Sequence, residues 1–182
     1  MMTTSTATSL YEIDPAHTSA QFSVRHLMIS NVKGSFQNVT GSAVYDPASL
    51  AASKLDVTIA VQSIHTMEPQ RDEHLRSADF FDAANHPSIT FRSNRFSQSG
   101  GGLKITGDLT IRGVTKEVTL AVDPLEPAIK DPWGNTRIGA SASTRVNRKD
   151  FGLNWNAALE FGGFAVGDEV KITIDAELIK KG

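Results

Sequence analysis

The sequence predicts an all-β fold in which eight antiparallel strands close into one barrel. Eight stretches alternate apolar and polar residues at period two, so one face of each is dry and the other wet. They are joined mostly by short polar turns, and no long helical segment lies between them. A sheet of about eight strands can close on itself, abolishing its edges around an interior that side chains fill or that holds one small ligand.

Residues 10–14 form a short extended piece stopped by Pro15. Strand one spans residues 18–29, with Ala20, Phe22, Val24, His26 and Met28 on its inward face. A turn at residues 31–34 leads into strand two, residues 35–46, where Phe36 and Val39 fall in opposite phase and imply a bulge. Strand three covers residues 54–63 through Leu55, Val57, Ile59 and Val61, and strand four covers residues 88–97, with Ile89 and Phe91 in phase and a slip at Phe96. Gly100-Gly101-Gly102 is a hairpin turn into strand five, which carries Leu103, Ile105, Leu109 and Ile111. Arg112-Gly113 is the next tight turn, and strand six follows with Val118, Leu120 and Val122. That strand ends near Pro124 and Pro127, and residues 130–135 are a loop by their breakers. Strand seven, residues 137–146, turns Ile138, Ala140, Ala142 and Thr144 inward; strand eight, residues 169–179, turns in Val170, Ile172, Ile174, Ala176 and Leu178.

Two connections are too long to be turns. Residues 64–87, between strands three and four, hold a short helix that begins near Pro69 and runs through Arg76, followed by the pair Phe80-Phe81. Residues 147–168 contain Phe151, Trp155, Phe161 and Phe164, and long ordered loops of this kind are usually functional. In an up-and-down barrel both connections emerge at the same end. Two aromatic flaps then share one mouth, where a ligand enters and Phe80-Phe81 either plugs the barrel end or simply packs in the core.

The chain of 182 residues is read as one domain, residues 10–180, behind a disordered tail of residues 1–9. Its net charge of −2 is spread along the chain rather than blocked, so neither a nucleic-acid footprint nor an anionic-membrane patch is suggested, and Arg145, Arg148 and Lys149 beside Asp150 read as a solvated turn. The absence of cysteine excludes a disulfide framework, a thiol nucleophile and a thiolate metal site. No basic and apolar leader precedes residue 10, and no run approaches the ~18 apolar residues of a membrane span, so the expectation is a cytoplasmic protein. Neither a Gly-x-Ser-x-Gly elbow nor a phosphate-cradling Gly-x-x-x-x-Gly-Lys run is present.

Small inward residues, Ala20, Gly107, Ala140 and Ala142, either leave lumen volume open or accommodate bulky partners opposite. His26 is inward by phase and is either a satisfied core histidine or a polar anchor for a ligand head group. The five histidines lack metal-ligand spacing, so neither a metal nor a catalytic set is assigned. Asp72 is expected to serve the positive end of its own helix, with Arg71 and His74 tying that segment to a strand rim.

Spaced motifs in four regions resemble the YceI-like family: Ile13-Asp14-Pro15-Ala16-His17 with Phe22, Val24, His26, Gly34 and Phe36; the run from Arg71 to Asp82 with His86-Pro87 and Phe91; the run from Gly107 to Thr115; and Arg148-Lys149-Asp150-Phe151-Gly152-Leu153 with Val166-Gly167-Asp168-Glu169-Val170. The resemblance covers residues 11–178. It implies a lipocalin-like barrel whose lumen holds a long amphiphile such as a polyisoprenoid or isoprenoid quinone, hence lipid carriage rather than a reaction. Several family members are exported to the periplasm. The residues expected to line the ligand are Phe22, Val24, His26, Met28, Phe36, Ile64, Phe80, Phe81, Phe91, Leu109, Ala142, Trp155 and Phe164. No cofactor is expected beyond the bound isoprenoid lipid, and a homodimer is left open. The competing expectation is an enzyme acting on an isoprenoid or quinone through histidine acid/base chemistry.

Overall fold

A computed structural model describes residues 8–159 and 163–181. Its strands are β1 (Ser9–Ile13), β2 (Ser19–His26), β3 (Ser30–Phe36), β4 (Val39–Tyr45), β5 (Lys54–Ala60), β6 (Ile64–His65), β7 (Ser88–Ser99), β8 (Gly102–Ile111), β9 (Val114–Val122), β10 (Ile129–Lys130), β11 (Thr136–Asn147) and β12 (Val166–Lys181), with one α-helix, α1 (Pro69–Arg76). The ring runs β12-β1-β4-β5-β7-β8-β9-β11, and β11 pairs back onto β12 along almost its whole length, so the sheet is closed. All its pairings are antiparallel, and β2, β3 and β6 extend the wall from the free edge of β12.

The eight-stranded closure matches expectation, while the detail of its first third does not. The break between β1 and β2 is the one expected at Pro15, filled by the Pro15–His17 turn of 3-10 helix, whereas a second break, at Gln37-Asn38, divides the second expected strand between β3 and β4. That second break is where Phe36 and Val39 both turn inward, as their opposite phase requires. With these divisions and the two-residue β6, the helix follows β6 instead of lying between the third and fourth strands. The chain also reverses earlier than expected. β2 stops at His26, Ile29 N donates to His26 O at 3.1 Å, and Leu27 and Met28 take φ of 50° and 61°. Two consecutive left-handed residues make a type I′ turn, which matches the twist of a hairpin. Residues 31–34, expected as the turn, therefore lie inside β3.

Elsewhere the pattern holds. The phase slip before Phe96 is a register shift between Ser93 and Arg95. Gly113, at φ 74° after Arg112 at 50°, makes the tight β8–β9 turn. The main core cluster joins Val39, Ile64, Ile89, Phe91, Leu109 and Phe151 near the α1 end, and Tyr11, Ile13 and Leu178 form a second cluster further along the wall.

Candidate functional site: an apolar lumen under two aromatic flaps

A cavity of ≈ 440 Å³ occupies the barrel interior, within the size range of small-molecule sites, roughly 300–1,000 Å³. Every strand of the ring contributes to its wall, including Tyr11, Tyr45, Val57, Phe91, Leu109, Leu120, Ala142 and Ile174. This follows from the period-two pattern, since each strand sends its apolar set to the concave face. Strand β11 does so with Ile138, Ala140, Ala142 and Thr144, and these small side chains leave wall space unfilled. Gly107 is different. A Cβ there would fall 2.4 Å from Arg92 O and 2.7 Å from Phe91 Cζ, so its missing side chain makes room for Phe91 and adds nothing to the lumen.

Of the residues singled out from the sequence, Phe22, Val24, His26, Phe36, Phe80, Phe81, Phe91, Leu109, Ala142 and Trp155 line this cavity. Three do not. Ile64 is 1% exposed but packs in the core between β6 and its neighbours. Met28 is 59% exposed because the type I′ turn carries it past the rim, and Phe164 is 58% exposed beside it. Phe161 lies outside the described residues.

The mouth is covered from two sides. The His74 ring stands edge-on to Phe80 at 5.1 Å and to Trp155 at 4.8 Å, and Phe80 and Trp155 lie 5.4 Å apart. Phe81 meets Phe36 at 5.6 Å, and Phe36 meets Phe22 at 5.7 Å. The segment after α1 and the segment after β11 thus interlock over the lumen, as up-and-down topology demands. His74 Nε2 is held by Asp79 Oδ2 at 2.8 Å, and Arg112 anchors the Phe80 carbonyl at 2.8 Å.

Polar groups collect at this end. Arg71 and His74 reach the cavity from α1, His26 from β2, and Arg148 from beneath the second flap. Asp72 lies in the first turn of its helix, at the positive end, and its buried carboxylate also accepts from Thr66 N at 2.8 Å and Thr66 Oγ1 at 2.5 Å, while Glu68 is the N-cap. Arg71 donates to Thr66 Oγ1 and Thr66 O, so Arg71 and Asp72 together fix the turn that enters the helix.

Arg148 overturns the solvated-turn expectation. It is 5% exposed and donates to the carbonyls of Leu153, Trp155, Val166 and Gly167, tying both ends of the second flap to one guanidinium. Burial lowers its pKa, opposed by Asp168. Nothing in the local sequence separates Arg148 from its exposed neighbours Arg145 and Lys149; only its place under the flap does. Tyr11 and Tyr45 were likewise missed, though Tyr11 alternates with Ile13 and carried the signal.

Away from the lumen, Asp14, His17 and Glu177 approach one another closely enough to hold a cation. Arg137 already occupies that place, 2.7 Å from Asp14 Oδ2 and 3.2 Å from Glu177 Oε2, and it also reaches Asp131 at 2.7 Å. Its guanidinium, helped by His17, lowers the Asp14 pKa to about 2, and it lowers Asp131 to about 2 as well. The cluster is an ion-pair clamp between β1, β11 and β12.

An eight-stranded closed barrel with one apolar lumen and an aromatic cover defines a small β-barrel of the lumen-binding type. The chain belongs to the YceI-like family, whose domain matches residues 11–178. A UPF0312 protein of Staphylococcus aureus is 38% identical over 168 residues, covering 92% of this chain and 95% of its own. One from Vibrio cholerae is 41% identical over 146 residues, 79% of this chain and 77% of its own. Among solved structures, the Campylobacter jejuni YCEI protein is 34% identical with a TM-score of 0.73, covering 87% of this chain and 90% of that one. A polyisoprenoid binding domain from Saccharophagus degradans shares the fold at 14% identity and a TM-score of 0.67, covering 94% of this chain and 98% of that one.

Proposed function

We propose that this protein binds and carries a long-chain apolar amphiphile of the isoprenoid class, with its tail in the barrel lumen and its head near the polar groups at the mouth. The observation that carries the reading is the cavity itself: ≈ 440 Å³ walled by the apolar faces of all eight ring strands, with Arg71, His74, His26 and Arg148 confined to one end. The shared fold of a polyisoprenoid binding domain supports the ligand class. Each buried CH₂ contributes on the order of 0.8 kcal/mol, so a ten-carbon prenyl segment offers roughly 8 kcal/mol before ordering and association costs. Such a site discriminates tail length and bulk more sharply than head group, and it needs no reacting side chain. Organic extraction of the purified protein followed by mass spectrometry is expected to release a prenyl lipid, and delipidated protein is expected to reload one. Repeated failure of both would remove the carrier reading.

A further inference from the structure

Among the described residues, Leu10, Ile129 and Trp133 are exposed singly elsewhere on the barrel, and a contiguous exposed apolar group lies at the mouth. The β2–β3 tip presents Leu27, Met28 and Ile29, 38%, 59% and 76% exposed, and Phe164 is 58% exposed on the neighbouring flap. The two segments are joined: Leu27 N donates to Ala165 O at 2.8 Å, and Met28 Sδ lies so tightly over Gly163 that a Cβ there would fall 2.1 Å away. Directly beneath them Val24, Arg25, His26, Ala165 and Val166 line the cavity, so the patch is continuous with its entrance.

Two further observations say what covers it. A type I′ turn favours Asn-Gly because both central residues need positive φ, yet here they are Leu27 and Met28. Bulky apolar side chains at these positions oppose both local backbone preference and solvation. The hairpin itself carries charge of one sign. Between Asp14 and Asp46 the sequence holds no Asp or Glu, whereas the hairpin carries exposed Arg25 and Lys33 together with His26. The nearest carboxylates on β12, Asp168 and Glu169, are already paired with Lys149 and Arg145. Apolar residues at the tip with cations behind them match a bilayer bearing anionic head groups, where side chains enter the acyl boundary and cations meet lipid phosphates.

We propose that Leu27, Met28, Ile29 and Phe164 form a docking surface for an anionic lipid bilayer, which sets the lumen entrance against the leaflet that supplies or receives the amphiphile. The proposal rests on the carrier reading and specifies where exchange takes place.

Flotation of the full chain with phosphatidylglycerol–phosphatidylcholine vesicles tests it. Wild type is expected to float with these vesicles, and much less with pure phosphatidylcholine or at high salt. Leu27→Ser/Met28→Ser/Ile29→Ser should lower partitioning by about tenfold or more, and Lys33→Gln should reduce the preference for anionic vesicles. Leu27→Asn/Met28→Gly separates docking from folding: it supplies the favoured turn, so its Tm should equal or exceed wild type while vesicle binding falls. Equal partitioning of wild type and the turn variant would overturn the proposal, as would a concentration-dependent dimer that the same variants abolish without any vesicle binding. Lipid content measured by mass spectrometry in parallel keeps the two readings apart. A chain that carries lipid but never floats loses the docking surface and keeps the carrier function; one that floats but is never loaded loses the carrier function.

Discussion

Replacing Ala142 by Phe tests whether the bore is vacant. Ala142 sits mid-strand on β11, opposite Ile174 on β12 and Val122 on β9, and it faces the cavity. The added ring fills about 100 Å³, the space of roughly four methylenes, against a cavity of ≈ 440 Å³. Losing four methylenes of ligand burial at ~0.8 kcal/mol each weakens binding by about 3 kcal/mol, or ~100-fold in Kd. The folded protein should tolerate the ring, because it enters an apolar void. Titration of delipidated wild type and variant with a fluorescent prenyl probe, alongside thermal unfolding of both, reads the two quantities together. The vacancy argument fails should the variant bind normally, or should it lose ~1–3 kcal/mol of stability, the cost of overpacking a filled core.

Gly107→Ala should behave in the opposite way, because its Cβ would meet the Arg92 carbonyl and the Phe91 ring; urea denaturation is expected to show a loss of about 1–3 kcal/mol. Arg148→Met should free the second flap by leaving the carbonyls it holds unpaired, and limited proteolysis at residues 153–167 should accelerate while bound lipid is lost faster; an unchanged digestion rate would contradict the clamp. The Asp14 and Asp131 carboxyls have folded pKa values of about 2 against an ordinary 3.8. Depressed acid pKa values give stability that is present above about pH 4 and lost as the pH falls towards 2. Arg137→Met should therefore lower the urea midpoint at pH 7 and flatten its fall between pH 4 and 2, and parallel wild-type and variant profiles would refute this.

The period-two alternation of strands such as residues 170–178 determined, without any structure, that the fold is all-β, that about eight strands close it, and which side chains face inward. Local chemistry also marked Pro69 as a helix start and placed the two aromatic connections at one end. What it could not locate depends on neighbours distant in sequence. Met28 keeps the inward phase of strand one, but the chain reverses at Leu27 through two left-handed residues of types that rarely adopt that conformation. Arg148 resembles the solvated cations beside it until the carbonyls of Leu153, Trp155, Val166 and Gly167, brought over it from the second flap, surround it. Gly107 and Ala142 read alike as small inward residues, and only the Phe91 ring lying across one and open space beside the other separate a packing accommodation from a vacancy. Inward direction is a property of a strand. Whether space remains inside is a sum over side chains from all the strands at once, and tertiary structure alone performs that sum.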